Sequence, residues 1–210
     1  MQRLFNDEAY VKYEVDTLDL ARRLFKLASN VQSSPLGEEM TLYDIFTDDE
    51  LYGFWQADNA SWYIGYGACT LNGATQPFSQ RNLLRNIIHE ADSCIALEHP
   101  GATLRFGHET MVLPLTCLLD INGYGLSTGD LGQLEERGWV NYRIFPMGAN
   151  IQLVFFRKDA KDGDVLVKVL LNENEATLPL PSDLAPYYRW SDFKDFYLKK
   201  LDAYSSSVSN

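Results

Sequence analysis

Histidine is scarce in this chain: three of its 210 residues, His89, His99 and His108, carry an imidazole. His89 and Glu90 have no second histidine four residues on, so the helical zinc-site pattern is excluded and a solvated helix face is the expected reading. Cysteine is as sparse. Cys69, Cys94 and Cys117 are odd in number and lack CxxC spacing, which excludes a disulfide framework and argues against a metal centre. Buried free thiols are expected, with a single disulfide left open for an oxidising compartment. No apolar run reaches the ~20 residues of a membrane span, and the first residues lack the basic-then-apolar pattern of a signal peptide. Positive charge is also short. With 18 Lys and Arg against 29 Asp and Glu, the net charge is −11, which argues against a nucleic-acid partner because such proteins carry a basic footprint. An anionic ligand would be held only where local cations reverse that field.

What the chain does have is apolar and aromatic material. Hydrophobic residues make up 46% and charged residues 22%, the balance of a globular protein able to bury a core. Its 12 tyrosines and 11 phenylalanines place much of the packing on rings. Apolar residues at helical spacing (Leu18, Leu20, Ala21, Leu24, Phe25, Leu27 and Ala28) predict one or two helices over 7–31, broken at Ser33-Ser34-Pro35-Leu36-Gly37. Thr47 followed by Glu50 is a capping-box pattern and predicts a helix through Leu51, Phe54 and Trp55. The aromatics from Tyr52 to Tyr66 read as packing rather than as a cleft lining. Ser79 offers a second capping start for an amphipathic helix carrying Leu83, Leu84, Ile87, Ile88, Ala91 and Ile95.

After His99-Pro100-Gly101, residues 102–106 read as a strand and 111–119 as a helix, with Pro114 expected in its first turn. The stretch from Gly123 to Glu136 reads as a surface loop with a short helical turn. Residues 150–157 and 165–171 predict an antiparallel hairpin across Asp159-Ala160-Lys161-Asp162-Gly163-Asp164. Asn172-Glu173-Asn174-Glu175 reads as a turn, followed by a short strand over 176–179. Phe193, Phe196, Tyr197 and Leu201 predict a last helix over 191–204, ahead of a frayed Ser-rich tail. The fold class is α/β.

Chemistry concentrates between the strand and the helix. In open α/β sheets, ligands bind beyond the carboxyl ends of strands, which points to Gly107-His108-Glu109-Thr110. There a glycine permits close approach, histidine donates to an anion, a carboxyl supplies a proton, and a helix start adds backbone N–H groups. The bland alternative is a turn with a surface histidine and a helix-capping glutamate. Thr110 reads as a cap more than as a ligand contact. Alternation places Arg105 on the face of Gly107, with a salt bridge at least as well supported as a phosphate contact.

Leu104-Arg105-Phe106-Gly107-His108-Glu109-Thr110 and Leu113-Pro114-Leu115 resemble the C-terminal signature of the histidine acid phosphatases. Within them the likeness is to the bacterial multiple inositol polyphosphate phosphatases, which attack phytate. It extends over Leu42-Tyr43-Asp44-Ile45-Phe46-Thr47, the 62–67 segment, and Ile144-Phe145-Pro146 through Arg157. The resemblance implies the C-terminal part of a three-layer α/β/α sandwich with part of its helical cap. It divides the chain into a cap portion over 1–76, a core portion over 77–182 and a terminal helix and tail over 183–210. It also implies a phosphomonoesterase working through a phosphohistidine without metal or organic cofactor. His108 would ligate phosphate, Glu109 would donate the proton, and Gly107, Thr110 and Arg105 would line the substrate site.

The sequence departs from the family pattern in two places. It has His-Glu-Thr where the family has His-Asp or His-Ala-Glu, and the RHGxRxP motif that supplies the nucleophile is absent. The isolated chain is therefore expected to be inactive, with a phosphorylated small molecule and the missing N-terminal half as its partners. The alternative is a non-catalytic fragment that binds or complements. Family members are exported; this chain, lacking a signal peptide, would remain cytoplasmic.

Overall fold

The computed structural model describes residues 4–159 and 163–208. The chain divides into two compact units, Met1–Asn59 and Ala60–Asn210.

The first unit holds two helices in the region where the periodicity predicts one or two. Helix α1, Glu8–Glu14, is capped by Asp7, whose carboxylate accepts from the Tyr10 N–H at 3.0 Å. Helix α2, Thr17–Val31, is capped in the same way by Asp16 through the Asp19 N–H. Short 3-10 turns at Pro35–Glu38 and Tyr43–Ile45 follow. Helix α3, Asp48–Tyr66, opens on the expected capping box. Thr47 Oγ1 accepts from the Glu50 N–H at 3.3 Å, and the Glu50 carboxylate accepts from the Thr47 N–H at 2.9 Å, satisfying two orphan donors reciprocally. Phe25 stacks on Phe54 with centroids 5.5 Å apart, and Phe46 meets both edge-on. Ring packing holds this unit together, since few of its side chains are fully buried.

In the second unit, strand β1, Ala68–Cys69, pairs in parallel with β2, Ser127–Thr128. Helices α4, Arg81–Ile95, α5, Glu109–Leu119, and the short α6, Asn141–Ile144, come before the main sheet. The predicted hairpin is present: β3, Ile151–Phe156, runs antiparallel to β4, Leu166–Leu171, from Ile151 opposite Leu171 to Phe156 opposite Leu166. The middle of its connector, Ala160 to Asp162, lies outside the described residues. Strands β5, Asn174–Glu175, and β6, Tyr187–Arg189, pair with β4 along its other side. Helix α7, Trp190–Val208, ends the described chain; it continues through 205–208, where a frayed tail was expected, and the last two residues lie outside the described ones.

Val167, Val169 and Leu171 alternate inward on β4 and pack with Leu84, Ile88, Leu118, Phe193, Tyr197 and Leu201. A second cluster joins Tyr63, Cys69, Leu113, Cys117, Leu134, Trp139 and Ile144. Helix α5 contributes to both clusters, and Leu113 through Leu119 are all buried. A helix apolar all round has to be enclosed in this way. The mixed α/β class agrees with the sequence reading.

Several local expectations are corrected. Residues 102–106 form no strand, because a strand needs a hydrogen-bonded neighbour and none of the described strands lies beside them. The short strand expected over 176–179 falls instead at Asn174 and Glu175, directly after the positive-φ residues Asn172 and Glu173 turn the chain. Helix α4 is not capped by Ser79: a 3-10 turn at Gln76–Gln80 precedes it, and Gln80 is the cap residue, its side chain accepting from none of the first helical amides. Pro114 is the sixth residue of α5, not a first-turn residue. The carbonyl it leaves without a helical donor is that of Thr110, near the exposed start of the helix.

Candidate active site

His108 is the N-cap of α5 in an extended conformation (φ −110°, ψ 168°), and Glu109 is the first helical residue. The His108 carbonyl accepts from the Met111 and Val112 N–H groups at 2.9 and 3.2 Å. The amides at the very start of the helix have no such intrahelical acceptor. One exposed terminus therefore combines an imidazole, a carboxyl and the positive end of a helix dipole. Anions bind at such ends. Both side chains are exposed.

The far end of α5 is fixed. Tyr197 Oη and Lys200 Nζ, both from α7, donate to the Leu119 and Leu118 carbonyls at 2.6 Å each. Burial pushes the Tyr197 phenol well above its ordinary range and the Lys200 ammonium below its own. Asp120 closes the helix in the left-handed region (φ 52°) and accepts from the Gly125 N–H at 2.7 Å. Helix α5 is thus tied to α7 at its C-terminal end and carries His108 and Glu109 at the other.

The other sequence candidates are placed less directly. Arg105 donates to Asn86 Oδ1 on α4 at 2.9 Å, a charge-assisted hydrogen bond to a neutral amide in place of the salt bridge that the sequence reading weighed against a phosphate contact. Thr110 is the second helical residue and not the cap, since His108 already holds that position. A Cβ on Gly107 would meet only Met111 at ordinary contact distance, 3.6 Å, so nothing in the described chain demands glycine there. His89 lies within α4 and His99 beyond its end. Among the described residues no group of three His, Cys, Asp or Glu could hold a metal ion, and no described helix is long and apolar enough to cross a membrane. All three cysteines are free, with Cys69 and Cys117 buried.

Supporting residues were missed from sequence. Asn86, Tyr197, Lys200 and Arg157, whose guanidinium donates to the Ile95 and Leu97 carbonyls at the end of α4, are polar groups on elements distant in the chain. Only the basic character of Lys200 and Arg157, which suits carbonyls at helix ends, was a local signal. A recess of about 290 Å³ in the first unit is lined by Leu18, Ala21, Leu24, Phe46 and Phe54 among others. Its lining includes the Glu50 carboxylate and no cationic side chain, which does not suit phosphate.

The family model described as the histidine phosphatase superfamily (branch 2) matches residues 1–172. No curated protein matches the chain. Among solved structures, Bifidobacterium longum multiple inositol polyphosphate phosphatase in complex with phosphate superposes with a TM-score of 0.72 at 20% identity, over 85% of this chain and 39% of that one. The same enzyme in complex with inositol hexasulfate gives 0.68 at 22% identity, over 84% and 38%. At such identities the likeness is one of fold. This chain spans less than two-fifths of the length of those enzymes. With most of its residues matched by the family model, the chain belongs to the histidine phosphatase superfamily, branch 2.

Proposed function

We propose that this chain supplies the proton-donor side of a phosphomonoesterase of the histidine acid phosphatase type, acting on inositol polyphosphates or similar phosphate esters. The observation that carries the reading is the joint placement of His108 and Glu109 at the free N-terminus of the buried helix α5. His108 donates to a phosphoryl oxygen, helped by the first amides of the helix. Glu109 protonates the leaving-group oxygen as the P–O bond breaks, a role that needs the bound phosphate to keep the carboxyl protonated. Gly107 leaves room beside the ligand, Thr110 lies one residue further into the helix, and Arg105 adds local positive charge. No cofactor is required, because a phosphohistidine route divides the displacement into two easier steps.

The nucleophile is a separate matter. None of the three histidines sits in an RHGxRxP motif, so the attacking imidazole comes from outside this sequence and the chain alone is inactive. The same observation favours a second reading, a non-catalytic binding or complementing fragment. Phosphate release from phytate and from an aryl phosphate separates the two, measured with the chain alone and mixed with a polypeptide carrying RHGxRxP. Activity in the mixture only, abolished by Glu109→Gln, supports the half-site reading. Inactivity in both favours the fragment, and activity of the chain alone overturns the assignment of the nucleophile.

A further inference from the structure

The chain carries two Asn-Gly pairs, Asn72-Gly73 and Asn122-Gly123, and the fold treats them in opposite ways. Before a glycine, an asparagine side chain is open to attack by the next main-chain nitrogen, because that residue has no Cβ to shield it. Asn72 is half-buried. Its Nδ2 donates to the Ile64 carbonyl near the end of α3, and its Oδ1 is enclosed with no hydrogen-bond partner among the described residues. Negative charge arising on that oxygen would be buried and unpaired, which is costly. Asn122 differs on each count. It is exposed, two residues beyond the Asp120 cap of α5, and left-handed (φ 54°, ψ 23°). Its Oδ1 accepts from the Thr177 N–H at 2.8 Å and from Thr177 Oγ1 at 3.2 Å. The Gly123 N–H is held only by a long bond to the Asp120 carbonyl, 3.3 Å, and a Cβ on Gly123 would meet nothing within 4 Å.

We propose that Asn122 is a self-modifying site of this chain, converting through a cyclic imide to aspartate and isoaspartate, and that the fold protects Asn72 from the same reaction. The inference is independent of the phosphatase reading. The Gly123 nitrogen bonds to Asn122 Cγ and gives up its proton; the Cγ–Nδ2 bond breaks and ammonia leaves with that proton. Water then opens the imide at one of its two carbonyls. Breaking the new bond to Cγ gives aspartate, and breaking the bond to the main-chain carbonyl carbon gives isoaspartate. The two Thr177 donors face the oxygen on which charge builds during the attack, where fixed donors stabilise it. The Asn122 ψ has to open before the nitrogen reaches Cγ, and that motion leaves a left-handed conformation that a residue with a Cβ disfavours. Isoaspartate routes the main chain through Cγ and lengthens it by one atom. The pairing of Asn122 with Thr177, which includes the Asn122 N–H to the Thr177 carbonyl at 3.0 Å, is then lost. That pairing joins the end of α5 to the segment whose Ala176, Leu178 and Leu180 lie in the core beside β4.

The test ages the full chain in mildly alkaline buffer and maps its peptides by mass spectrometry, reading the amide-to-acid mass shift and the isoaspartyl linkage at each asparagine. A parallel sample is held unfolded in guanidinium. In the folded chain, Asn122 should convert about tenfold or more faster than Asn72. In the unfolded chain the two Asn-Gly pairs have lost their separate surroundings, and their rates should agree within about threefold. Amide hydrogen exchange then reads the consequence: at Thr177 it should be about tenfold or more faster in the isoaspartyl product than in the fresh chain. Equal rates at the two sites in the folded chain, or conversion of Asn72 first, overturns the proposal. So does an Asn122 that stays intact in the folded chain while the unfolded chain converts. A rate difference of the same size in guanidinium overturns the assignment to the fold, and unchanged exchange at Thr177 overturns the loss of its pairing.

Discussion

Thr128 donates its backbone N–H to the Tyr63 hydroxyl at 2.9 Å, and that hydroxyl donates to the Leu126 carbonyl at 2.9 Å. The ring is fully buried and meets Trp139 edge-on. Strands β1 and β2 share only two residue pairs, and the Tyr63 phenol, from α3, adds a tie to the β2 side of that pairing. Burial raises its pKa, which keeps it protonated as the donor. Tyr63→Phe preserves the ring and strands the two backbone groups. It should cost about 1–3 kcal/mol, read as a lower urea midpoint with an unchanged slope.

Tyr197→Phe should act on α5 in a similar way. Losing the donor to the Leu119 carbonyl leaves a buried acceptor unpaired at the end of the helix that carries His108. A loss of about 1–2 kcal/mol is expected, measured by denaturant unfolding at neutral pH. An unchanged midpoint would show that the Tyr197 bond does not help fix the helix.

Asp92 gives a pH signature. Partial burial pushes its carboxyl up, but hydrogen bonds from the Trp190 indole and Lys194 outweigh this and hold it below the usual carboxylate range. The native state therefore favours the ionised form. Its contribution is present above the ordinary carboxyl pKa of ~3.9 and is lost as pH falls through the lowered native value. Its side chain is 47% exposed, so the effect is modest, about 0.5–1 kcal/mol after solvent screening. Asp92→Asn should be less stable than the parent at pH 7, with the gap closing towards pH 2 in unfolding titrations.

Thiol reactivity should sort by burial. Burial pushes the Cys117 thiol up to about 12, which suppresses the reactive thiolate, and Cys69 is also enclosed. Cys94 is the partly exposed one. An aromatic disulfide reagent should titrate Cys94 alone in the native chain and all three thiols in guanidinium. Rapid native labelling of Cys117 would contradict the packing around Trp139 and Leu113.

Much of the second unit was legible because its signals are local. The Asp- and Gly-rich connector between two β-branched runs specified the β3–β4 hairpin, and the spacing of Phe193, Tyr197 and Leu201 specified α7. The segment 102–106 was misread for a physical reason. Its composition suits a strand, but a strand is a relationship between two segments, and the described chain supplies no second one. Pro114 shows the same limit on a smaller scale, since its position within α5 depends on where the helix starts and His108 set that start.

The His-Glu candidate pair was visible in the sequence as adjacent residues with the right chemistry. Its support was not: Lys200 and Tyr197 reach α5 across about 80 residues of chain, and Asn86 meets Arg105 from another helix. The sequence by itself determined the main helices, the β3–β4 hairpin, the low histidine count and the family, because periodicity, composition and short motifs are properties of neighbouring residues. Tertiary structure alone decided that α5 is buried between two apolar clusters with His108 and Glu109 at its open end, and that Leu104 and Phe106 face solvent. Burial and pairing depend on which distant segments the folded chain brings together.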